Sequence, residues 1–97
     1  MPIIRLIHVK VDPDQVEQAE RIWKDDCAPL MIRQAGCTSE QLLKCVDVDG
    51  EFISYSEWES QEAIDEYRES EDHKTIQSHA RELQGARATV KRYETVG

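Results

Sequence analysis

The sequence predicts an α+β chain of order β-α-β-β-α-β, the ferredoxin-like arrangement in which a four-stranded antiparallel sheet carries both helices on one face. Three observations predict it. Residues 51–58, E-F-I-S-Y-S-E-W, alternate Phe52, Ser54, Ser56 and Trp58 with Ile53, Tyr55 and Glu57, the period of a β-strand. Helical spacing takes over within a few residues, with Ser60 as N-cap and Ala63, Ile64 and Tyr67 on one face. A separate strand-then-helix pattern fills residues 3–34, and a last strand pattern closes the chain.

The first strand, residues 3–11, reads I-I-R-L-I-H-V-K-V, β-branched and only weakly alternating, so both of its faces are expected to be covered. Asp12 offers an N-cap and Pro13 the first helical position, where a missing N–H costs nothing. Val16, Ala19, Trp23, Cys27 and Leu30 then form the stripe of a helix packed on a sheet. Pro29 predicts a kink or restart, with a final turn over residues 30–34 closed by Gly36. A second strand is expected over residues 40–48, turning through Asp49-Gly50, the dipeptide a two-residue type I′ hairpin prefers. That turn would pair Val46 with Ile53 and Lys44 with Tyr55, and on the other face Cys45 with Ser54, Leu43 with Ser56 and Gln41 with Trp58. The second helix is expected over residues 60–84, with a fresh cap at Ser70 ahead of E-D-H, a stop at Gly85, and a final strand over residues 88–96.

At 97 residues the chain fits one domain, 1–97, of a size at which burying enough surface alone is marginal. Such a sheet leaves one face bare, and here that face carries apolar groups in every strand. A second copy is the economical cover, so a homodimer closed into a barrel is expected. Twenty acidic against twelve basic residues give a net charge of −8, which disfavours nucleic acid and anionic membrane surfaces as partners. No apolar run approaches membrane-helix length and no signal-peptide pattern is present, so a cytoplasmic location is expected. Cys27, Cys37 and Cys45 read as reduced thiols, and His8, His73 and His79 lack metal-ligand spacing. Neither a bound metal nor a cofactor is expected.

The candidate site is the face bearing Ser54, Ser56 and Trp58, where small residues stand beside one large aromatic and opposite Cys45. Either a flat apolar ligand occupies the space the serines leave, or Trp58 fills it. Trp58 is expected to border the ligand and Trp23 to lie in the core. His73 sits in the first turn after Ser70, where the helix dipole favours neutral imidazole, a form able to accept a phenolic proton. Otherwise it is a structural histidine satisfied by backbone or by Tyr55 or Tyr67, the two tyrosines placed with the substrate-binding set.

The first strand, the A-G-C at residues 35–37, the L-L-K at residues 42–44 and above all the pattern W-x-S-x-x-A followed by S-x-x-H (Trp58, Ser60, Ala63, Ser70, His73) resemble the antibiotic-biosynthesis-monooxygenase-like group of the dimeric α+β barrel superfamily. The resemblance covers nearly the whole chain. It implies a dimer and an activity drawn from a range that includes cofactor-independent oxygenases of aromatic quinols and haem-degrading enzymes. The quinol oxygenases place an Asn four residues before the Trp and a Tyr six after it. Here Trp58 matches, while Ser54 and Ile64 stand at the other two positions. The haem-degrading pattern of Trp and His is replaced by Tyr67 and Gln77, which implies no haem. The resemblance therefore implies a small monooxygenase of an electron-rich aromatic, with a non-catalytic ligand-binding dimer as the alternative class.

Overall fold

The computed structural model describes residues 2–83 and 86–96. Its strands are β1 (Ile3–Lys10), β2 (Cys37–Lys44), β3 (Glu51–Trp58) and β4 (Arg87–Glu94), in the order β2-β3-β1-β4 with every neighbouring pair antiparallel. This is the expected ferredoxin-like sheet. The helices α1 (Val16–Arg21), α2 (Ala28–Ile32), α3 (Gln61–Glu69) and α4 (Glu71–Ala80) pack over one face of it.

The two serine caps form as the sequence suggests, whereas Asp12 makes no side-chain cap bond and Pro13–Gln15 form a short 3-10 turn ahead of α1. Ser60 Oγ accepts from Ala63 N at 3.2 Å, and Ser70 Oγ accepts from His73 N at 3.1 Å. Ser70 itself is extended, with φ −76° and ψ 159°, so α3 and α4 are separate helices meeting at one capped break. The helix α4 ends at Ala80, short of the expected residue 84, and residues 81–83 form a turn; Gln84 and Gly85 lie outside the described residues. Between α1 and α2 the chain widens into a π-helical stretch, Ile22–Cys27, in which Ala28 N–H reaches back to the Trp23 carbonyl. Pro29 explains the restart, because it has no N–H to give to the carbonyl four residues earlier.

The hairpin departs from its expected register. Ile53 pairs with Leu43, three positions earlier than Val46, and Ser54 pairs with Leu42. Strand β2 spans Cys37–Lys44, not residues 40–48, and the connection runs over residues 45–50. Gly50 alone in it has positive φ, +89°, so a type I′ turn, which needs two such residues, does not form. The competing force is docking against β1. Val11 N donates to Gly50 O at 2.8 Å, and a Cβ on Gly50 would stand 2.3 Å from the Val11 carbonyl oxygen. An odd shift reverses faces, so Leu43 and Cys45 do not face the serines.

The helix-covered face carries Ile3, Arg5, Ile7 and Val9 opposite Trp58, Ser56, Ser54 and Phe52. Met31, Trp58, Ile64 and Tyr67 make one buried cluster on it, and Val11, Ala19 and Phe52 make another. The opposite face bears Ile4, Leu6, Ile53 and Tyr55, partly covered, with Leu43 and Tyr93 exposed. No helix among the described residues is long and apolar enough to cross a membrane.

Candidate functional site

Between the sheet and the helices lies a cavity of about 450 Å³, within the range of small-molecule sites. Its floor is formed by Arg5, Ile7 and Val9 of β1, Phe52 and Ser54 of β3, and Ala88 and Val90 of β4. Trp23 and Cys27 of the π-helical stretch, Tyr67 of α3, and His73, Ile76 and Gln77 of α4 form its walls. Most of the lining is apolar, and the polar groups converge near Tyr67.

His73 stands edge-on to Tyr67 with ring centroids 5.0 Å apart, and the Arg5 guanidinium carbon lies 5.9 Å from the centre of the same ring. Burial, followed by the Arg5 and Arg68 cations, holds the His73 imidazole below its ordinary pKa. The ring is therefore neutral near pH 7 and able to accept a proton. Burial pushes the Tyr67 phenol up to about 12 and the Cys27 thiol up to about 11. Both stay protonated, so Tyr67 is a hydrogen-bond donor and Cys27 is no nucleophile.

The sequence-derived residues divide into three groups. Ser54, Tyr67 and His73 are brought together at the cavity. Ser56 and Trp58 share their face but are sealed beside it: Trp58 is 0% and Ser56 1% exposed, and neither lines the cavity. Ser56 Oγ accepts from Trp58 Nε1 at 2.8 Å and donates to the Arg5 carbonyl at 3.5 Å, which spends its hydroxyl. Tyr55 and Cys45 lie elsewhere. Tyr55 donates to Glu57 on the open sheet face, and Cys45 borders a separate depression there of about 490 Å³ with His8, Leu43 and Ile53. The reason is the parity of β3 for Tyr55 and the three-residue register shift for Cys45.

The two tryptophans exchange their expected places. Trp58 packs against Tyr67 at 5.1 Å inside the core, while Trp23 lines the cavity with its buried Nε1 unpartnered among the described residues. Arg5, which sequence reasoning passed over, is 6% exposed and has no ion pair among the described residues. Its signal was present: it shares parity with Ile3, Ile7 and Val9, so a buried strand face had to contain it. Among the described residues no three His, Cys, Asp or Glu side chains gather into a metal-binding group.

The ferredoxin-like domain thus holds a helix–sheet cavity bordered by aromatic rings, a neutral histidine and a buried arginine, with a volume within the range of small-molecule sites. The sequence profile of the family described as antibiotic biosynthesis monooxygenase matches residues 2–79, and the chain belongs to that family. Rv0793 from Mycobacterium tuberculosis is similar in structure, with TM-score 0.82, 21% identity, and coverage of 100% of this chain and 97% of that one. A conserved protein from Methanosarcina mazei gives TM-score 0.83, 18% identity, and coverage of 99% and 95%. SnoaB from Streptomyces nogalater, described as a cofactor-independent oxygenase, gives TM-score 0.79, 14% identity, and coverage of 99% and 94%. At these identities the likeness is one of fold. No curated protein matches the chain.

Proposed function

We propose that this protein is a small cofactor-independent monooxygenase that binds an electron-rich aromatic or quinol-type molecule in the cavity beside Tyr67. The carrying observation is the neutral, partly buried His73 on the wall of a largely apolar cavity, next to a protonated phenol and a buried cation. In this reading His73 takes the proton of a substrate hydroxyl, Tyr67 and Ser54 orient the ring, and the apolar walls exclude water. The resulting electron-rich anion supplies the electrons for oxygen. One oxygen atom enters the substrate and the other leaves as water, with substrate and solvent providing its protons. Family membership supports the reading, as does the fold shared with an oxygenase described as cofactor-independent. Oxygen-electrode turnover of an anthrone or naphthoquinol tests it: His73→Ala should lower kcat by about two to four orders of magnitude. A variant that folds and turns over at the wild-type rate contradicts it.

The reading includes a homodimer whose second copy covers the open sheet face, where Leu43 and Tyr93 are exposed. Light scattering should give twice the chain mass, and a mass near 11.2 kDa contradicts the dimer. A non-catalytic ligand-binding dimer is the second reading. The enclosure of Trp58 favours it, since the residue that matches the family's quinol-activating Trp makes no contact with the cavity.

A further inference from the structure

The chain has twenty acidic and twelve basic residues, yet among the described residues no aspartate or glutamate lines the cavity and three arginines do: Arg5, Arg81 and Arg87. Arg81 and Arg87 are exposed, whereas Arg5 is 94% buried and unpaired with any carboxylate among the described residues. A buried guanidinium without an anion is costly, and a strand face that is otherwise apolar could hold a leucine there. The groups facing it do not neutralise it. Tyr67 offers its ring and its hydroxyl, which carries no charge while protonated, Arg68 adds a second positive charge, and His73 is a neutral imidazole. A second buried donor, Trp23 Nε1, also lines the cavity without a partner among the described residues.

We propose that the natural ligand is an aromatic carboxylate, its flat apolar body filling the cavity and its carboxylate paired with Arg5. A carboxylate fits better than a phenol for two reasons. The planar fork of arginine matches two carboxylate oxygens. In addition, the exposed arginines attract a ligand that is already charged in solution, whereas an ordinary phenol is neutral near pH 7. This inference rests on the cavity being the ligand site, and it deepens that reading by naming the group the substrate carries. The carboxylate is then the handle, and it leaves His73 free to accept a proton from a hydroxyl elsewhere on the ring.

Isothermal titration calorimetry of the full chain with naphthoate and with naphthamide, two probes of one shape that differ in charge, tests the proposal. The wild-type protein should bind naphthoate at least about tenfold more tightly than naphthamide, the usual size of a charge-assisted hydrogen-bond pair. Arg5→Met should bring the two affinities to near parity. The double variant Arg81→Gln/Arg87→Gln, altered only at exposed positions, should lose part of the preference, and clearly less of it than Arg5→Met. Equal binding of both probes by the wild-type protein overturns the carboxylate proposal while leaving the cavity a ligand site. Retention of the preference in Arg5→Met, or a loss in the double variant as large as that expected of Arg5→Met, overturns the role of Arg5. Binding of neither probe overturns the proposal together with the reading beneath it. Should Arg5→Met fail to fold, the wild-type comparison and the double variant still decide.

Discussion

The two ends of the helix-covered sheet face are built from the same strands and are finished differently. At one end Trp58 fills the space between β3 and α3, stacks on Tyr67 and gives its indole N–H to Ser56. At the other end Phe52 and Ser54 of the same strand floor an open cavity, and the indole N–H of Trp23 has no partner among the described residues. Closely packed side chains with satisfied polar groups mark the part that holds the fold. Unfilled volume with unspent donors marks the part available to a ligand. Tyr67 belongs to both, one side of its ring against Trp58 and its surroundings shared with His73 and Arg5.

The sharpest way to break this contrast is to cut each tryptophan back. Trp58→Ala removes the largest fully buried side chain and should cost about 3–5 kcal/mol in denaturant unfolding, enough to threaten folding of a small domain. Trp23→Ala should cost clearly less, because its ring already faces empty volume, while weakening a cavity ligand. Equal stability losses would erase the distinction. A smaller effect is expected at the closed end from Gly36→Ala. Gly36 has φ +85° and its added Cβ would stand 2.5 Å from Ala63 Cβ, so a loss of about 1–3 kcal/mol should appear as a lowered Tm. An unchanged Tm would show that α3 can move away from this loop.

How far the sequence carries follows the same division. Strands β1 and β3, both serine caps, the break at Ser70 and the restart at Pro29 were legible because each is set by residues adjacent in the chain. Hairpin register was not. Asp49-Gly50 suggests a local turn, but Gly50 uses its positive φ to approach Val11 on β1, a contact from a distant part of the sequence. Three residues of slippage then carried Cys45 to the open sheet face. The site was half legible for a related reason. Parity placed Ser54 beside Trp58 correctly, but which of two tryptophans fills the core depends on the volume all the helices leave, and no spacing records that. Arg5 shows the reverse case, since its parity alone placed a cation among apolar neighbours.

The smallest effect concerns pH. Burial and neighbouring cations lower the folded-state pKa of His73 relative to the unfolded chain, so the unfolded chain binds more protons between the two values. Stability should therefore fall slightly as pH drops from about 6.5 through the lowered value, then level off with respect to this group. Turnover on a quinol should rise with pH across that same window and flatten above it. In His73→Gln this component of the stability change should vanish from unfolding curves taken across the window. A histidine titrating at or above about 6.5 by NMR would remove the basis for both effects.

The most direct test of the contrast between a closed Trp58 end and an open Trp23 end is fluorine NMR of fluorotryptophan-labelled protein, with the two resonances assigned by Trp23→Phe and Trp58→Phe. Addition of naphthoate to the labelled chain should shift or broaden the Trp23 resonance strongly, with at most a minor change at Trp58 transmitted through Tyr67. A large shift confined to Trp58, with Trp23 unmoved, would place the ligand at the end described here as closed and contradict the account.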